Sequence, residues 1–142
     1  MLRFAMIAAA VLLWASPVLA HESESAPPPP KKEAQGAPAQ VISTARGIML
    51  VDPNGMTLYY FDRDDTGNKS NCDAACTQRW KPLAAPADAQ ATGDFTVIVR
   101  NDGSKMWAYR YRPLYTSPAD KVPGDTNGNA TTLQWRIARP DE

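Results

Sequence analysis

Short apolar runs separated by turn residues dominate the chain from about residue 41 onward. The run at 47–52 (GIMLVD) stops at Pro53-Asn54-Gly55, and 56–62 (MTLYYFD) follows it. Asn-Gly readily adopts the positive φ angles of a tight hairpin, so the two runs predict paired strands. A second pair, 95–100 (FTVIVR) and 106–111 (MWAYRY), flanks the turn sequence NDGSK. In the latter strand Trp107, Tyr109 and Tyr111 fall on one face, and Ala108 and Arg110 on the other. The segment 131–138 (TTLQWRIA) alternates. Leu133, Trp135 and Ile137 are expected inward, and Thr132, Gln134 and Arg136 outward, as in a half-buried antiparallel strand. One short helix is predicted, over about 73–80, capped by Asn71 or Asp73 and closed before Pro82. Residues 85–94 read as a loop. The fold class is therefore mainly β, an antiparallel sheet domain with one short helix around the cysteine pair.

The spacing of particular residues adds a second layer. Leu58-Tyr59 and Leu114-Tyr115 lie 56 residues apart, as do Asp64 and Asp120; Trp80 and Trp135 lie 55 apart. A glycine follows each Asp, at Gly67 and Gly124. Registered spacing of this kind predicts two degenerate repeats of about 55 residues that pair into one sheet system and share a core. The repeated Tyr and Trp are then packing residues first. The repeated Asp most simply closes a loop onto backbone N–H groups.

The N-terminus reads as processing rather than fold. Arg3, the apolar run 4–14 and Val18-Leu19-Ala20 form a signal peptide over 1–20, with cleavage expected before His21. The run is too short to span a bilayer. Residues 21–40, with four consecutive prolines and no apolar periodicity, predict a disordered linker. The folded domain then occupies 41–142, and the destination is the periplasm or the medium.

Export frames the two cysteines. In an oxidising compartment Cys72 and Cys76 are expected to form a disulfide, since one helical turn puts their Cα atoms about 6 Å apart. So small a loop gains only about 2 kcal/mol of chain entropy. A redox-active pair, metal ligation and free thiols are the other readings. Charge is balanced, 15 basic against 15 acidic residues, and no basic stripe suggests nucleic acid. Arg110 and Arg112, on one face of the predicted strand, read as solvated.

The full set of motifs is GIMLVDPNGMTLYYFDRDD, the two cysteines with Trp80, Pro82 and Leu83 after them, and NDGSKMWAYRYRPLYTSPAD with a later Trp. Across 46–137 these resemble the bacterial secreted-repeat family of unknown function, often described as predicted lipoproteins with a Yx(FWY)xxD motif. The first motif is complete, with Tyr59, Phe61 and Asp64. In the second, Tyr115 and Asp120 match, and Ser117 stands where the family has an aromatic. The lipoprotein label does not carry over, because no cysteine lies at the cleavage site. The resemblance implies an exported domain and no particular reaction.

The chain holds one histidine, His21, in the linker. That leaves the folded domain without Ser-His-Asp or Cys-His catalysis, CxxCH haem attachment or histidine zinc sites. There is no Gly-rich phosphate loop. Asp62, Asp64, Thr66, Gly67 and Asp73 occupy positions 1, 3, 5, 6 and 12 of an EF-hand-like loop. The strand-like flank and the absence of a bidentate Glu favour plain acid-rich turns. Asp120, Asp125, Asn127 and Asn129 make the second copy equally oxygen-rich. A mature N-terminal His21, aided by Glu22 and Glu24, would offer a copper chelate, with Met49, Met56 and Met106 as soft candidates that are more simply core. Tyr60, Tyr109, Tyr111 and Tyr115 are either core or an exposed aromatic platform. The reading adopted is a non-enzymatic exported binding or accessory module of the cell envelope, with an envelope protein, glycan or small ligand as partner. No cofactor and no catalytic residue are expected. The alternatives are an envelope metal-handling (copper or calcium) or redox accessory protein, and a carboxylate-based enzyme.

Overall fold

The computed structural model describes residues 37–64, 68–130 and 133–141. The signal peptide, most of the linker, His21, Thr66 and Gly67 lie outside the described residues. The described part is mainly β, as the apolar pattern requires. Its strands in chain order are β1 (Gln40–Thr44), β2 (Gly47–Val51), β3 (Leu58–Phe61), β4 (Lys81–Pro82), β5 (Phe95–Val99), β6 (Lys105–Tyr109), β7 (Arg112–Pro113), β8 (Tyr115–Thr116) and β9 (Trp135–Ile137). A single-turn helix, α1 (Ala74–Thr77), precedes β4, and a 3-10 turn (Asn127–Ala130) precedes β9.

All ladders are antiparallel, in sheets ordered β1-β2, β4-β8-β3-β9 and β5-β6-β7. The four-stranded sheet joins the two repeats, and Tyr59 lies directly opposite Tyr115 in it. The edges are exchanged. β9 of the second repeat pairs with β3 of the first, Tyr59 facing Ile137. β4 of the first repeat pairs with β8 of the second, Pro82 facing Tyr115. The sheet thus has a local two-fold relation that carries each residue onto the one about 56 places along.

LYYF is a continuous apolar run because β3 is buried on both faces. Tyr59 and Phe61 belong to one core cluster with Met49, Val51, Trp80, Tyr115, Trp135 and Ile137. Leu58 and Tyr60 belong to another with Leu50, Tyr109, Leu114 and Ala138. Trp80 and Trp135, the repeated tryptophans, stack with centroids 3.7 Å apart and planes 6° apart. Phe61 also stacks on Trp135, with centroids 4.5 Å apart.

Several expectations need correction. The Asn54-Gly55 segment does not fold β2 back onto β3. Only Gly55 has positive φ, a single Val51–Thr57 bridge forms, and β3 pairs with β8 and β9 instead. Asp52 Oδ1 accepts from the N–H groups of Asn54 and Met56 and shapes a wider loop. Strand 106–111 stops at Tyr109, because Arg110 and Tyr111 both adopt left-handed φ (47° and 68°) and turn the chain into β7. Tyr111 is therefore 57% exposed, while Tyr60, Tyr109 and Tyr115 are core, which dissolves the aromatic platform. Arg110 and Arg112 share no face. Arg110 pairs with Asp94, and the Arg112 guanidinium lies 3.8 Å from the Tyr60 ring centroid. Leu133, expected inward, is 99% exposed. β3 is four residues long, its last ladder partner is Trp135, and Leu133 falls beyond the ladder. The linker boundary also moves, since Pro38 and Ala39 are buried and Gln40 already opens β1. The helix is shorter than predicted, although Asp73 does cap it by accepting from Cys76 N at 3.0 Å.

The second repeat lacks an aromatic at Ser117, and the backbone of the 3-10 turn closes on that place. A Cβ at Gly128 would stand 2.7 Å from Tyr59 Cζ, 2.8 Å from Ser117 Cβ and 2.9 Å from Trp80 Cη2. Gly128→Ala is therefore expected to destabilise the fold by roughly 1–3 kcal/mol through overpacking. A denaturant midpoint equal to wild type would show that the turn can withdraw from the tryptophan stack.

Candidate functional site

The repeated motif residues converge at the two-fold relation. Tyr59 and Tyr115 are fully buried, and Asp64 and Asp120 nearly so. Each tyrosine donates to the aspartate of the other repeat. Tyr59 Oη donates to Asp120 Oδ2 at 2.7 Å, and Tyr115 Oη to Asp64 Oδ2 at 2.5 Å. The second carboxylate oxygens accept from the backbone, Asp64 Oδ1 from Asn71 N at 2.6 Å and Asp120 Oδ1 from Asn127 N at 2.7 Å. Each asparagine then donates from Nδ2 to the residue before its own aspartate, Arg63 O and Ala119 O. The phenol oxygens also accept, Tyr115 from Ser70 Oγ at 2.8 Å and Tyr59 from Gly128 N at 3.2 Å.

Asn71 and Asn127 were absent from the predicted motif. The signal was present, since each follows its aspartate by seven residues. The Asp role expected from sequence, accepting backbone N–H groups in a loop, describes one oxygen of each carboxylate. The other oxygen bonds a tyrosine of the opposite repeat, which no local pattern encodes.

The electrostatics follow from enclosure. Burial, reinforced by the hydrogen bonds to Asp120 and Asp64, holds both phenols far above the ordinary tyrosine range. Burial also raises the Asp64 carboxyl, against the opposing pull of Tyr115, Asn71 and Arg100. Neither tyrosine ionises near neutral pH, so the cluster holds no phenolate base or nucleophile.

The carboxylates of the EF-hand-like spacing do not converge. Asp62 Oδ1 pairs with Arg136 Nε at 2.7 Å on the surface, Asp64 faces Tyr115, and Asp73 caps α1. In the second loop Asp125 Oδ2 accepts from Lys121 N and Val122 N. Among the described residues no group of three or more His, Cys, Asp or Glu is disposed to hold a metal ion. Cys72 and Cys76 form a disulfide with Cα atoms 5.1 Å apart. Cys72 is buried in the core cluster beside the tryptophans. Met49 and Met106 are core residues.

A family model described as a secreted repeat of unknown function matches the chain twice, at residues 40–84 and 96–139. The two matches coincide with the two repeats whose edges are exchanged. No curated protein and no solved structure matches the chain.

The tyrosine pairs impose a sign on alkaline stability. The unfolded chain gives up its phenol protons near the ordinary value of about 10, and the native state does not. The unfolded state then binds fewer protons, so stability falls as pH rises above that value. The Tyr59→Phe/Tyr115→Phe double variant is expected to be less stable at neutral pH by roughly 1–3 kcal/mol per lost hydroxyl. Its stability should decline less steeply at alkaline pH. Urea unfolding across pH 7–11 checks both, and parallel alkaline limbs would contradict the buried-phenol account.

Proposed function

The chain belongs to the family of secreted repeats of unknown function, and on that premise we propose that it is a non-catalytic binding or accessory module of the bacterial cell envelope. The observation that carries this reading is the mutual engagement of the duplicated residues. The Tyr, Asp and Trp that the repeat preserves bond and stack with one another inside the fold. They support a scaffold, and they leave recognition to the loops and rims around it. The exposed apolar side chains on that surface, among them Val41, Val99 and Tyr111, are dispersed over different sheets and turns. On this reading the mature chain begins at His21 and works in the periplasm or outside the cell, with an envelope protein, glycan or small ligand as partner. Among the described residues no helix is long and apolar enough to cross a membrane.

Native mass spectrometry tests the reading on protein exported with its own signal peptide and purified without chelator. The expected species starts at His21, is two hydrogens lighter than the reduced chain, and binds no stoichiometric copper or calcium on incubation with either ion. A one-to-one metal adduct would replace this reading with a metal-handling one.

A further inference from the structure

Arg100 sits where β5 turns toward β6, and its side chain is only 8% exposed. Nη2 donates to Cys72 O at 2.8 Å. Nε and Nη1 are buried without a hydrogen-bond partner. The Asp102 carboxylate stands 3.9 Å from Nε, beyond hydrogen-bonding range. Asp102 Oδ1 is held instead by Ser104, from N at 3.0 Å and Oγ at 2.6 Å. The buried Asp64 carboxylate acts on this guanidinium from inside the fold, and idle donors on a buried cation remain costly where no acceptor meets them.

Arg100 lines a cavity of about 320 Å³ together with Thr77, Lys81, Asp102, Ser104 and Lys105. Three cationic residues and one acidic residue therefore line it, with Asp64 acting on Arg100 from the core side. Lys81 Nζ donates to Thr77 O at 3.1 Å, and Lys105 Nζ donates to Ala87 O. Each ammonium has three donors, so both keep donors to offer a ligand. Ammonium groups serve phosphate as point charges. A water occupies about 30 Å³ of liquid, so the cavity exceeds a bare oxyanion and sits at the small end of ligand pockets.

We propose that this cavity binds a small phosphomonoester, its phosphate held by Lys81 and Lys105 beside the charge of Arg100. Nε and Nη1 have no open surface, so the ammonium groups of Lys81 and Lys105 make the direct contacts and Arg100 contributes its charge. The proposal gives the binding reading above a ligand class and rests on it. Metal stoichiometry decides that reading, and phosphate titration of metal-free protein decides this one.

Calorimetric titration of the exported, oxidised protein with inorganic phosphate and with glycerol phosphate, at low salt, is the test. Both are expected to bind one-to-one, the ester more tightly. Lys81→Gln/Lys105→Gln should weaken ester binding by about tenfold or more with an unchanged melting temperature, and Asp102→Asn should strengthen it. These rim variants avoid Arg100, which also anchors Cys72 O. Equal affinity for the ion and the ester would assign the cavity to free phosphate and overturn the ester. Absence of binding, binding undiminished in the lysine variant, or a loss in Asp102→Asn would overturn the site.

Discussion

Two reciprocal hydrogen bonds, from Tyr59 to Asp120 and from Tyr115 to Asp64, organise this protein. A buried carboxylate is tolerated only with its acceptor sites engaged. Each aspartate meets that demand with one partner from its own loop and one from the opposite repeat. The loop fixes the carboxylate, the carboxylate fixes the foreign tyrosine, and the tyrosine fixes the central strand. Satisfying either aspartate requires both repeats to be folded and docked. The exchange of β4 and β9 across the same sheet expresses the same dependence in the backbone.

The two copies have diverged where packing allowed. In the first, Phe61 covers Trp135 and Cys72 lies buried, tied to Cys76. In the second, the corresponding places hold Ser117 and Gly128, and the chain itself approaches the Trp80 ring. One copy fills its half of the core with side chains, the other with main chain. The same disulfide loop supplies the carbonyl that anchors Arg100. A feature of the first repeat alone thus holds the guanidinium whose charge is proposed to attract a ligand.

Much of this was legible in the chain. The apolar runs marked β2, β3, β5, β6 and β9, and equal spacing of Tyr, Asp and Trp marked the duplication. Pairing was not legible, because hairpin logic joins neighbours in sequence, and β3 takes partners from the other repeat. Leu133 was misplaced because alternation says nothing about where a partner strand ends. Tyr111 was misplaced because its left-handed turn lacks the Asn or Gly that announces one. β4, β7 and β8 are two residues each, too short for any period. The Arg100 cavity depended on distant segments closing around a residue that looked like an ordinary strand end.

The exchanged edges also bear on how such a chain is delivered. β9 lies near the C-terminus, yet it completes the sheet around β3, more than seventy residues earlier. Until Trp135 has emerged, Trp80 has no stacking partner and Tyr59 lacks one of its two neighbour strands. Contacts this far apart in sequence form late, because loop closure precedes the contacts that reward it. A chain threaded outward from its N-terminus therefore stays open while it moves, and it locks only once the last strand has crossed.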